Sequence, residues 1–141
     1  MIRAVVDPNV FISAQISSSG PPARIARAAD GGIFELVVSE LLLSELHDVL
    51  MRPRFRRYMT EGEVEDLVAD LREKGTGATE GEIERVVPDD PKDDYLVALA
   101  HASNVDYLVS GDPHLAGVIS QVSVAVLTPH EFGELLEREI P

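Results

Sequence analysis

The sequence contains no cysteine, which removes disulfides and thiolate metal sites and suits a reducing compartment. No uninterrupted apolar run reaches the roughly 18 residues that a membrane-spanning helix needs. The opening MIRAVVDPNV has one arginine and no long apolar stretch of the signal-peptide kind. A soluble, cytoplasmic chain without membrane contact is expected. Basic charge is scarce as well: 12 Lys plus Arg stand against 25 Asp plus Glu, a formal net charge of −13. A protein that coats nucleic acid is normally basic, because phosphate neutralisation supplies most of its non-specific affinity. The acidity argues against that class and leaves room for a chain that gathers cations, although an acidic surface kept for solubility would account for it too.

At 141 residues the chain reads as one domain, 1–141, large enough for a proper core. Hydrophobic residues make up 45% and charged residues 26%, which excludes wholesale disorder. Ile2–Val6 reads as a short apolar strand, after which Asp7 caps a helix opened by Pro8. SSSGPP at 17–22 is a loop, Ala23–Ala29 a helix ended by Asp30-Gly31-Gly32, and Phe34–Val38 a second strand. Ser39 caps a helix running to Leu50, with Leu42, Leu46, Val49 and Leu50 on one face. An acidic helix follows at Gly62–Leu71, its Val64, Leu67, Val68 and Leu71 inward, then a loop at KGTGATEG and a strand at Ile83–Val87. PDDPKDD turns into a helix near Tyr95–Ser103. Tyr107–Ser110 is a fourth strand, Leu115–Ile119 a short helix and Val122–Leu127 a fifth strand. Thr128-Pro129 opens a last helix to about Arg138. Short strands apolar throughout, alternating with amphipathic helices, indicate βαβ units. The fold class is α/β, a three-layer α/β/α sandwich around a mainly parallel sheet of about five strands.

In such a sheet the strand C-termini share one edge, where ligands bind. Asp7 follows the first strand directly, and Asp112 follows the fourth with one glycine between. Asp90, Asp93 and Asp94 open the helix that feeds that strand, and Glu45 lies on or beside the buried face of its helix. Singly these are ordinary caps, turn formers and a flanking glutamate. Gathered together, two carboxylates 4 Å apart would repel by about 4 kcal/mol at an effective dielectric of 20. Such a cluster must take up protons or hold cations, and oxygen-only ligands select hard ions such as Mg²⁺ or Mn²⁺.

Four stretches then carry a resemblance. VVDPNVFISA resembles the opening motif of the PIN-domain family of metal-dependent ribonucleases, an apolar strand followed by D-T-N-V and small residues. SELLLSELHDVL is similar to the family's second motif, a helix carrying a glutamate. DPKDDYLVALA resembles its third motif, and DYLVSGDPHL its fourth, an apolar strand usually followed by T-x-D. The motifs keep the family's order and span nearly the whole chain. They look most like the bacterial branch of toxins from toxin–antitoxin pairs. The resemblance implies Asp7, Glu45, Asp93 and Asp112 as catalytic acids, with Asp7, Asp93, Asp94 and Asp112 towards the metal. The third position stays open between Asp93 and Asp94. Asn9 would support Asp7, and Ser110 stands where the family often has threonine. Pro8 replaces the family's usual threonine, and His114 stands where many relatives carry a further acid. The implied activity is Mg²⁺- or Mn²⁺-dependent endoribonuclease cleavage. RNA is the implied substrate, and an antitoxin protein and a second copy of the chain are implied partners, with exposed apolar surface on the 62–71 helix as a candidate for self-association.

Arg52, Arg54, Arg56 and Arg57, interleaved with Phe55 and Tyr58 in MRPRFRRY, form the one dense basic cluster. Guanidinium suits phosphate and the rings suit bases, so this is the expected RNA contact. An arginine-rich helix end favoured by the helix dipole is the plainer alternative. His47, His101 and His130 sit at no ligand spacing, His114 beside Asp112 is a lesser candidate for contact with a substrate phosphate, and Met51 and Met59 read as core filler. Two other phosphate chemistries fit worse. A haloacid-dehalogenase-type phosphohydrolase wants a second aspartate where Asn9 stands and a lysine on the phosphoryl group, but lysine occurs only at positions 74 and 92. A phospho-receiver domain needs an acceptor aspartate at a mid-chain strand end and a lysine after its fifth strand, and has neither. A catalytically silent PIN fold that binds RNA or protein is the rival from another class.

Overall fold

The computed structural model describes residues 1–81, 94–116 and 124–139. Its elements run β1 (Arg3–Val6), α1 (Pro8–Ile16), α2 (Pro21–Asp30), β2 (Glu35–Val38), α3 (Glu40–Leu50), a 3₁₀ turn (Pro53–Phe55) and α4 (Glu61–Lys74). They continue with β3 (Thr76–Gly77), α5 (Asp94–Ala102), β4 (Tyr107–Val109), α6 (Pro113–Ala116), β5 (Ala125–Leu127) and α7 (Pro129–Glu139). The five strands form one sheet in the order β3-β2-β1-β4-β5, and every neighbouring pair is parallel. Ala4, Val5 and Val6 are fully buried, as are Val37 and Val109. Unbroken burial along a strand requires cover on both faces, which is why these strands show no polar alternation. The result is the three-layer α/β/α arrangement.

Local chemistry starts the helices. Ser39 Oγ accepts from the Leu42 amide at 3.1 Å. Thr60 and Glu63 cap each other reciprocally, as do Thr128 and Glu131. Prolines fill the first helical position of α1, α2 and α7, where a missing N–H costs nothing.

Two expectations change. KGTGATEG is not wholly loop: Thr76 and Gly77 pair with Val37 and Val38 as an edge strand. Gly75 permits this, since a Cβ there would stand 2.7 Å from the Leu71 carbonyl and 2.9 Å from a Val38 methyl. No propensity in Thr-Gly foretells a strand; the exposed edge of β2 supplies it. The strand expected at Ile83–Val87, the PDDPKD turn and the second half of the helix expected to Ile119 lie outside the described residues. The 62–71 helix also presents no free apolar face. Val64, Val68 and Leu71 are buried and Leu67 half-buried in the chain's own core, so these residues do not form the exposed apolar surface expected there. Met59 is buried as core filler. Among the described residues no helix is long and apolar enough to cross a membrane.

α3 and α4 are tied at the surface by His47, whose Nε2 lies 2.6 Å from Glu65 Oε1, with Asp48 3.6 Å from Nδ1. The Glu65 hydrogen bond, assisted by Asp48, raises the imidazole above its usual 6.5 against a smaller opposing effect of burial. A histidine whose folded pKa exceeds its unfolded value stabilises fully below the unfolded pKa, and that stability is lost as pH rises through the folded one. Urea unfolding of the wild type and His47→Gln should show the wild type ahead at pH 6 and the gap closing by pH 9. A gap independent of pH would remove His47 as its source.

Candidate active site

The strand order places the site. β1, β2 and β3 progress outward on one side, and β4 then returns to the other side of β1, leaving a crevice between the C-terminal ends of β1 and β4. The register pairs Val6 with Val109, so the residues that follow, Asp7 and Ser110, stand side by side. The Asp7 amide donates to the Val109 carbonyl at 2.9 Å, and the Ser110 amide donates to Leu127 of β5 at 2.9 Å. Both residues are buried, Asp7 to 3% and Ser110 to 2% exposure.

The Asp7 carboxylate is held from both sides. Oδ1 accepts the Asn9 amide at 2.9 Å, which caps α1. Oδ2 accepts the Ser110 hydroxyl at 2.8 Å. Ser110 Oγ in turn accepts the Asp112 amide at 3.1 Å, so one hydroxyl links Asp7 to the backbone of the turn bearing Asp112. Asp112 is half-buried, and its carbonyl accepts from Leu115 as α6 begins. Charge-assisted hydrogen bonds of this kind offset the desolvation of a buried carboxylate. The support from position 9 comes through the main chain, and the Asn9 residue itself is exposed.

Glu45 is half-buried on α3, and its Oε2 accepts the hydroxyl of Tyr95. Tyr95 is 7% exposed, and the residue before it, Asp94, opens α5 at 2%. α5 packs on β1 and β4, the strands that carry the other acids. Hydrogen bonds thus join Asp7, Ser110 and the Asp112 amide at the crevice, and join Glu45 to Tyr95, the residue after the buried Asp94. Asp93 lies outside the described residues, as does Asp90. The donors are all oxygen, which fits a hard divalent cation. Among the described residues, however, no three Asp, Glu or His side chains come close enough together to hold a metal.

Two residues went unnoticed in the sequence. Tyr95 had a signal: a buried tyrosine in an otherwise apolar helix needs a partner for its hydroxyl. Glu80, which accepts the Ser39 hydroxyl at the end of β2, had none, since it sits in a polar loop.

The arginine cluster divides. Arg52, Arg54 and Arg57 are exposed, while Arg56 turns inward and donates through Nη2 to the Leu50 carbonyl at the end of α3. Its Nε and Nη1 are also buried, without a hydrogen-bond partner among the described residues. Phe55 is buried at 5% and so is closed to a base. Arg54 lies over that ring at 4.8 Å, and Arg57 lies over Tyr58 at 5.2 Å. The expectation of four arginines and two stacking rings reduces to three arginines and Tyr58.

The PIN domain matches this sequence over residues 3–114, a span that includes Asp7, Glu45, Asp93, Asp94, Ser110 and Asp112. The chain belongs to the PIN domain family, whose fold is of nuclease type. Among solved structures it is similar to the crystal structure of PAE2754 from Pyrobaculum aerophilum. The TM-score is 0.64 at 12% identity, over 97% of this chain and 90% of that one. At that identity the likeness shows the fold. No curated protein matches the sequence significantly.

Ser110→Ala removes a buried donor from Asp7 and should destabilise the fold by about 1–3 kcal/mol. Ser110→Thr, which keeps the hydroxyl, should lose clearly less in urea unfolding. Equal losses would mean that the hydroxyl does not hold Asp7.

Proposed function

We propose that the chain is a Mg²⁺- or Mn²⁺-dependent endoribonuclease that acts in the cytoplasm as the toxin of a toxin–antitoxin pair. The observation that carries this reading is the Asp7–Ser110–Asp112 arrangement at the β1/β4 crevice of a PIN fold. A buried carboxylate pinned on both oxygens is pre-oriented as a ligand, because its rotamers are already restricted before anything binds.

The acids Asp7, Asp93, Asp94 and Asp112 would hold the ion, with Glu45 facing the same reaction. A bound Mg²⁺ or Mn²⁺ supplies a water of lowered pKa and neutralises charge on the phosphoryl oxygens. Ser110 keeps Asp7 and the 110–112 turn in register, and the α1 amide at Asn9 holds the second Asp7 oxygen. No side chain is assigned as a separate general base. The reaction is hydrolysis: water oxygen bonds to phosphorus, the bond to the leaving ribose oxygen breaks, and that oxygen takes up a proton. RNA reaches an acidic protein through Arg52, Arg54 and Arg57, whose exposed guanidiniums match phosphate geometry.

A pool of single-stranded RNA should be cleaved in Mn²⁺, with cleavage lost on EDTA or with Asp7→Asn. Mn²⁺ should raise the melting temperature of the wild type by mass action and raise that of Asp7→Asn less. Folded protein that binds RNA without cutting it would establish the silent binding module instead. Induced expression should arrest growth in the wild type and not in Asp7→Asn, which tests the toxin role.

The arginine contact has its own readout. Each lost phosphate contact with a single strand lowers the slope of log affinity against log salt by about 0.7. Replacing Arg52, Arg54 and Arg57 with serine should therefore flatten that slope by up to about 2 and weaken binding. An unchanged slope would place the RNA elsewhere.

A further inference from the structure

We infer that Tyr95 is a positioning residue for the proposed nuclease site: its hydroxyl sets the orientation of Glu45 and couples α3 to the strands that carry Asp7 and Asp112. The inference rests on the nuclease reading above.

Asp7, Ser110 and Asp112 are joined directly, because parallel pairing of β1 with β4 brings them side by side. Glu45 belongs to no strand. It projects from the middle of α3, a helix anchored by the fully buried Leu42, Leu43, Leu46 and Leu50. That anchoring fixes the helix, while the direction of the glutamate's three-torsion side chain is set by what its carboxylate meets. A half-buried carboxylate on such an arm samples several rotamers unless a donor selects one.

Tyr95 is suited to that selection. A tyrosine has two torsions, and here the ring is buried to 7% exposure beside the buried Leu96 and Leu99 of the same helix. Its hydroxyl donates to Glu45 Oε2. Because α5 packs on β1 and β4, the position of Tyr95 is referred to the same two strands that place Asp7 and Ser110. The phenol thus transfers the crevice's geometry to a residue 50 positions away in sequence. Packing alone would be served by phenylalanine, which fills the same space. The hydroxyl is what packing does not require.

The test uses the full chain as wild type, Tyr95→Phe, Glu45→Gln and the double variant, with single-stranded RNA and Mn²⁺ alone as probes. Tyr95→Phe should lower kcat about 10–100-fold, the range typical of residues that orient a ligand from behind, with KM for RNA nearly unchanged. Because Glu45 would add negative charge beside the acids that hold the ion, misplacing it should also raise the Mn²⁺ concentration that gives half the maximal thermal shift. In the Glu45→Gln background Tyr95→Phe should change neither quantity further, because there is then no carboxylate to orient. Urea unfolding of all four reports folding separately, and a loss of activity no larger than the loss of folded protein would overturn the positioning role. Wild-type kcat and Mn²⁺ response in Tyr95→Phe would overturn the assignment, and so would an undiminished effect of Tyr95→Phe when Glu45 is already glutamine. A wild type that neither cleaves RNA nor responds to Mn²⁺ would overturn the nuclease reading itself, and this inference with it.

Discussion

A carboxylate that is 3% exposed at the end of a central strand is costly unless something replaces the water it has lost. At Asp7 the replacement is local on one side and remote on the other. The start of α1 offers an amide two residues on, and β4 offers a hydroxyl from 103 residues away. The remote donor exists only if β4 lies beside β1 in the observed register. The site and the sheet are consequently one construction. A slip of one residue between β1 and β4 would turn Ser110 to the other face and leave Asp7 buried and short of a donor.

The acids are placed by two kinds of element, strand ends and a helix. Strand-borne groups inherit their spacing from parallel pairing, which is stiff. Helix-borne Glu45 inherits only the position of α3 and needs a side-chain contact to fix its direction. One such contact comes from Tyr95 of α5, the element that also covers the strands. Charge follows a related logic. The acids at the crevice are buried or half-buried, whereas much of the remaining acidity lies on the outer faces, where Glu40 pairs with Arg72 and Asp30 with Lys74. Those exposed pairs contribute little stability individually, and they leave the three outward arginines after α3 as a distinct basic feature.

Inward-turned Arg56 shows how far local reading can go astray. In sequence it is one of four equivalent arginines. In the structure its guanidinium donates to a helix-end carbonyl, which is the plainer role of a cation at a helix C-terminus. Phe55 beside it belongs to the core. Neither outcome can be read from a run of alternating arginines and aromatics, because burial there depends on how the turn after α3 meets α4.

The sequence by itself determined the features whose causes lie within a few residues. These are the caps at Asp7, Ser39, Thr60 and Thr128, the prolines that open helices, the apolar strands and the inward faces of α3 and α4. From these, with four motifs in order, came the α/β class, the family, and the placement of Asp7 and Asp112 at strand ends. Only the tertiary structure decided the edge strand at Thr76–Gly77, the hydroxyl bridge at Ser110, the pairing of Tyr95 with Glu45 and the division of the arginines. Each of those needs partners brought together from distant parts of the chain. Periodicity and capping report a residue's neighbours along the backbone, and carry no information on which strand will lie beside which.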